Sequence, residues 1–195
     1  MDPQQPEQRK WSHMEVAVLL TSHTALTELN VYDAMKIATR MYTRPVKKGD
    51  VLMQEGTSSN NHMLLILHGD CVVENEAMKK ADSLMLSVVG PGHIIGEMGV
   101  FDGEPRSATC KAFTDMQVAV LDKEALSKLI AQEPAIGCKL LAELLHRTSG
   151  RLRATNKKLR MLAQVTRALE REVEILSKPA QSAPAAPFTG NPLMS

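Results

Sequence analysis

The sequence predicts an α+β protein: a β-roll, jelly-roll-like in its strand rhythm, with helices before it and one long helix after it. Three observations carry this. Short β-rich runs crowd the stretch from Val46 to Val120 and are cut by turn signals. The apolar residues on either side of that stretch recur at helical spacing. After Pro134 an apolar seam alternates steps of four and three residues through five heptads. No helix of crossover length separates the β-rich runs, which argues against a parallel α/β sheet.

In chain order, residues 1–12 read as a disordered leader. From about 13 to 41 the spacing of Val18, Leu19, Ala25, Leu26, Leu29, Ala34, Ile37 and Met41 predicts two short helices with a break near Asn30. Arg44-Pro45 ends that pattern, because the residue before a proline avoids the α region. Seven or eight strands are expected next, among them VLMQE, HMLLIL, CVVEN, SLMLSVV, the Ser107–Ala112 alternation and MQVAVL. The turns KKGD, QEGTSSNN, LHGD, VGPG and FDGEP part them. DKEALSKLIAQ is a helix with Asp122 as its N-cap. The long helix carries Leu141, Leu145, Thr148, Leu152, Thr155, Leu159, Leu162, Thr166, Leu169, Val173 and Leu176 along one seam. Five heptads outrun any face so small a domain can offer, so the seam predicts a coiled-coil homodimer through residues 141–176. The expected divisions are a leader over 1–12, a β-roll with its N-terminal helices over 13–134, the dimerisation helix over 135–178, and a Pro/Ala-rich disordered tail over 179–195.

Bulk properties fit that plan. A chain of 195 residues suits one globular domain with extra helical material. Only 3% of residues are aromatic against 44% apolar, so Leu, Val, Ile, Ala and Met must fill the core. The net charge of +1 points to no partner, but it is unevenly spread: Arg147 to Arg171 holds eight Lys/Arg and one acid, Glu170, hence +7 there and −6 elsewhere. Cys71, Cys110 and Cys138 are odd in number and far apart, without disulfide or metal-ligand spacing. The six histidines are scattered, so no metal is expected. With no signal-peptide pattern and no apolar run long enough to span a bilayer, a cytoplasmic protein is expected. No Ser/His/Asp or Cys/His constellation marks an enzyme.

The chemistry concentrates in GEMGVFDGEPRSAT, Gly96 to Thr109. Gly96 lets the backbone approach a ligand closely. A helical turn over Glu97 to Phe101 would aim its first N–H groups at one spot and favour an anion. Arg106 follows nine residues after Glu97, where its guanidinium can grip two phosphate oxygens while Ser107 adds a hydroxyl and Ala108 an N–H. Glu97 repels a phosphate and suits a sugar hydroxyl instead. A phosphate site beside a sugar site describes a nucleotide whose phosphate and ribose are folded together.

These residues resemble the cyclic-nucleotide-binding domains of the catabolite activator protein type over about residues 40–160, with the cassette pattern G-E-x-[AG] followed at a distance by R-[SA]-A. The resemblance implies a double-stranded β-helix, cAMP or a related cyclic nucleotide as ligand, and no cofactor. It assigns Glu97 to the ribose 2′-hydroxyl, Arg106 and Ser107 to the cyclic phosphate, and the backbone of Gly96 and Met98 to the same pocket. Leu86 and Ser87 fall where the family lines the base. In GRLRATNKK, Arg151 falls beside the cassette glutamate, and Thr155 and Asn156 where a Thr-Ser pair reads the adenine amino group. Two departures stand out. The loop between Glu97 and Arg106 is one residue shorter than in catabolite activator protein, as in eukaryotic kinase regulatory subunits. Asn156 replaces a serine, and an amide both donates and accepts. Ser107, where cGMP-selective domains carry threonine, favours cAMP. The chain is thus expected to be a receptor without the family's helix-turn-helix, signalling through a protein effector. The alternatives are DNA contact through the basic helix, with a steep salt dependence, cyclic di-GMP binding, and a ligand-free dimerisation scaffold.

Overall fold

Eight strands form two four-stranded antiparallel sheets in the computed structural model of the chain, which describes residues 10–22, 25–26, 29–58, 62–74 and 87–177. The strands are β1 (Tyr42–Val46), β2 (Val51–Met53), β3 (His62–His68), β4 (Cys71–Glu74), β5 (Ser87–Val89), β6 (Ile94–Ile95), β7 (Thr109–Ala112) and β8 (Met116–Asp122). One sheet has the order β1-β8-β3-β6 and the other β2-β7-β4-β5. The β-roll expectation holds.

Alternation along β3 and β8 explains their unbroken apolar texture. Leu64 and Ile66 of β3, with Met116, Val118 and Val120 of β8, face the roll interior beside Leu52, Met53, Cys71, Cys110 and Ala112. Met63, Leu65, Leu67, Ala119 and Leu121 face the other way, into a second core built with the helices. A strand covered on both faces has no polar side to show, so its sequence loses the two-residue period.

Five helices complete the described chain: α1 (His13–Leu20), α2 (Val31–Ala38), α3 (Glu97–Phe101), α4 (Lys123–Gln132) and α5 (Pro134–Ser177). Ser12 and Glu15 form a capping box at α1, with Ser12 N donating to Glu15 Oε2 at 2.9 Å. Asn30, expected at a break, caps α2 by accepting from Asp33 N at 2.8 Å. Asp122 caps α4 as expected, accepting from Ala125 N at 2.8 Å. Pro134 opens α5, where its missing N–H costs nothing. The first turns of α5 bury Ile136, Leu140 and Leu144 in the helical core. Lys139 of α5 reaches the buried Asp33 of α2 at 2.6 Å, and Lys36 reaches Glu133 at 2.8 Å.

Two expectations need correcting. The leader predicted over 1–12 is ordered at its end, because Trp11 packs on the helical core and Ser12 caps α1; residues 1–9 lie outside the described residues, as do those of the tail. The strands begin at Tyr42 rather than Val46. Pro45 sits inside β1 opposite Gln117, which is tolerated because β1 is an edge strand and its lost N–H breaks no second ladder.

By its contacts the chain divides into two units, one up to Arg147 and one from Thr148. In the second unit the seam residues Leu152, Leu159, Leu162, Leu169, Val173 and Leu176 are 56–79% exposed. No helix among the described residues is long and apolar enough to cross a membrane.

Candidate functional site

The motif stretch folds around one buried guanidinium. Strand β6 delivers the chain to Gly96, whose φ of +77° is left-handed and starts α3 in a tight turn. A Cβ at Gly96 would lie 2.2 Å from Met53 Cε and 3.0 Å from Arg106 Nη1, so only glycine fits between them. Gly99 meets the other side of the same group: a Cβ there would lie 3.0 Å from Arg106 Nη1 and 3.4 Å from Cζ. The spacing of glycines in GEMG is thus the footprint of the arginine beneath it.

Arg106 and Glu97 are 6% and 7% exposed, against a mostly exposed connecting loop. Nη1 of Arg106 donates to the Gly96 carbonyl at 2.6 Å and Nη2 to the His62 carbonyl at 2.8 Å. The main chain is fixed as well. Arg106 N donates to Thr57 O at 3.0 Å, and Gly56 N donates to Arg106 O at 2.9 Å. The guanidinium is therefore held by the start of β3 and the cassette turn, and the main chain of the same residue by the turn after β2. Val100 of α3 meanwhile belongs to the helical core that also holds Leu140 and Leu144 of α5.

Electrostatics match this burial. Desolvation pushes Arg106 below the ordinary range of a guanidinium, while Cys110, Glu97 and Asp102 oppose the shift. The imidazole of His62 is pushed below the ordinary histidine value by burial, then by Arg106 and Arg44, with Asp122 opposing. Inside the roll the Cys71 thiol donates to the Val72 carbonyl at 3.6 Å, and its interaction with Cys110 raises the Cys71 thiol and lowers that of Cys110. A guanidinium tethered through two carbonyls beside a helical turn is held in position by the protein alone.

The structure brings the Arg106 guanidinium onto the turn of Gly96, Glu97 and Met98, with Ser107 and Ala108 in the bend that leads into β7. Met98 is largely exposed, consistent with a role through its backbone. Ser87 lies on β5 opposite Val73, which in turn lies opposite Cys110, so alternation places Ser87 on the sheet face that lines the roll. Leu86 lies outside the described residues. Arg151, Thr155 and Asn156 are exposed on the part of α5 that belongs to the second unit. His62, Thr57, Gly56 and Met53 were not legible as site residues. Three of them act through backbone atoms, which leave no side-chain signature; Met53 acts as bulk, and any apolar residue would read the same. Among the described residues no cluster of His, Cys, Asp or Glu has the arrangement of a metal site.

Comparison with known proteins agrees with this geometry. Residues 43–133 match the model of the cyclic nucleotide-binding domain family. The chain is 30% identical over 112 residues to a CRP-like cAMP-activated global transcriptional regulator of Mycobacterium tuberculosis, covering 57% of this chain and 47% of the regulator. It is 29% identical over 105 residues to a cAMP-dependent protein kinase regulatory subunit of Yarrowia lipolytica, covering 54% of this chain and 27% of the subunit. The chain therefore spans less than half the length of these relatives. Among solved structures, a cyclic nucleotide-binding domain from Methylobacillus flagellatus superposes with a TM-score of 0.63 at 28% identity, covering 78% of this chain and 83% of that one. Its two-sheet roll, its cassette turn over a buried arginine and these matches together make residues 43–133 a cyclic nucleotide-binding domain, with regulators of the catabolite activator type among its relatives.

Proposed function

We propose that the chain is a cyclic-nucleotide receptor, with cAMP as its ligand, that answers binding by changing the arrangement of a dimer helix read by a protein partner. The observation that carries this reading is Arg106, buried yet tethered so that its position is fixed before any ligand arrives. A cyclic phosphate is a monoanion with two exocyclic oxygens, the shape a guanidinium fork grips. In this reading Arg106 and Ser107 hold that phosphate, the backbone of Gly96, Met98 and Ala108 completes its shell, and Glu97 accepts from the ribose 2′-hydroxyl. By the family resemblance Leu86 and Ser87 are the residues that meet the base. Arg151, Thr155 and Asn156 enter from the family resemblance as the side chains that cover it.

The seam of the long helix supports self-association. Apolar residues held at heptad spacing and left in water are costly unless a second helix covers them. Coupling between site and helix follows from Val100, which ties the cassette turn to the core that seats Leu140 and Leu144. A nucleotide that favours one position of the turn shifts the balance of helix arrangements, with a coupling on the order of 1–3 kcal/mol.

Calorimetric titration with cAMP, cGMP and cyclic di-GMP tests the reading, on the natural chain and on Arg106→Ala. We expect cAMP to bind the natural chain and the variant to lose about a hundredfold in affinity or more, since charge-assisted hydrogen bonds contribute roughly 1.5–3 kcal/mol each. Equal affinity in both proteins would remove Arg106 from the site. Binding of cyclic di-GMP alone would replace cAMP as the ligand.

A further inference from the structure

One of the two carbonyls that hold Arg106 belongs to His62, and the rest of that residue is unusual. Its Nε2 is buried and has no hydrogen-bond partner among the described residues. A buried ring nitrogen without a partner is costly, and native interiors keep few of them. His62 begins β3 directly across from Asp122 of β8. Its ring stands in the fields of Arg106, of Arg44 on β1 and of Asp122. The Asp122 carboxylate is already engaged in capping α4. The other charged groups nearby act elsewhere: Glu97 and Asp102 face Arg106, and Glu15 of α1 is spent on Ser12. Strand β6 brings only Ile94 and Ile95. Burial first, and then two cations against one committed carboxylate, disfavour protonation of the imidazole.

We propose that His62 is a further positioning residue of the nucleotide site, one that takes up a proton when a phosphate monoanion settles on Arg106. The inference rests on the receptor reading above and adds its regulation by pH. Burial is the larger obstacle to an imidazolium at this position and the field of the guanidinium is the next; the bound anion cancels that second part. The proton comes from solvent, and no bond in the ligand changes.

The sign follows from linkage. A histidine that holds its proton more tightly in the complex than in the free protein makes binding stronger as pH falls. The gain is absent well above the bound-state value and complete below the free-state value. A coupling of about 1 kcal/mol, the size of the interaction between opposite unit charges about 4 Å apart in a water-like dielectric, corresponds to about fivefold in affinity.

The test is titration of the full chain with cAMP at pH 5.5, 6.5 and 8.0, in two buffers of different ionisation enthalpy. We expect affinity tighter at pH 5.5 than at 8.0, by up to about fivefold, with net proton uptake, and we expect His62→Gln to lose both the slope and the uptake. A flat pH profile without proton uptake in the natural chain would overturn the proposal, as would an unchanged slope in His62→Gln. If the variant does not fold, NMR titration of the His62 ring in the natural chain decides the matter: it must titrate at higher pH with cAMP than without, and an equal or lower midpoint refutes the idea. Failure of cAMP to bind at all three pH values is a different outcome, which sinks the receptor reading and this inference with it.

Discussion

Replacing Gly96 with alanine tests whether the cassette turn and the arginine are packed as tightly as described. The left-handed backbone at φ +77° costs a non-glycine residue roughly 1–2 kcal/mol. The new Cβ would sit 2.2 Å from Met53 Cε and 3.0 Å from Arg106 Nη1. The methionine tip can swing away, but Nη1 is bonded to the Gly96 carbonyl at 2.6 Å and cannot retreat without losing that bond. Overpacking of this kind adds about 1–2 kcal/mol, for a total of about 2–4 kcal/mol. Gly103 supplies the internal control, since it has a similar φ of +71° and nothing within 4 Å of a built Cβ. Gly103→Ala should therefore cost only the backbone strain. Urea denaturation followed by far-UV circular dichroism measures both. Equal costs for the two variants would show that nothing crowds Gly96 and would refute the packing argument.

Two other perturbations have defined outcomes. Leu159→Asp places a charge in the middle of the exposed seam and should convert a dimer to a monomer in sedimentation equilibrium while residues up to Arg147 stay folded; a dimer of unchanged strength would remove the coiled coil. Lys139→Met leaves the buried carboxylate of Asp33 without its cation and should cost about 1–3 kcal/mol in denaturation, below the range for a fully buried pair because the lysine is half exposed; a loss under about 0.5 kcal/mol would show that the link between α2 and α5 is only a surface contact.

Much of this molecule can be read without coordinates, and the exceptions share a cause. Turn glycines and N-caps write themselves in side chains, so Asn30 and Asp122 are found at helix starts and the strand rhythm yields the roll. The motif from Gly96 to Ser107 is legible because Glu and Arg at that spacing have few other uses. Strand β1 is not, since Pro45 reads as a stop when the strand's edge position is unknown. Trp11 and Ser12 look like leader until the capping box with Glu15 is counted from the chain's polar start. The anchors of Arg106 are hidden for a deeper reason. The carbonyls of His62 and Gly96 and the amide of Gly56 are present in any sequence, and only the fold decides which of them meet the side chain or the main chain of Arg106.

The most direct test is a crystal structure of the chain grown with cAMP. The account predicts the two exocyclic phosphate oxygens on the Arg106 guanidinium and the Ser107 hydroxyl, with the ribose 2′-hydroxyl donating to Glu97. A nucleotide bound elsewhere, or a complex in which Arg106 stays turned wholly toward the Gly96 and His62 carbonyls and touches no phosphate, would contradict it.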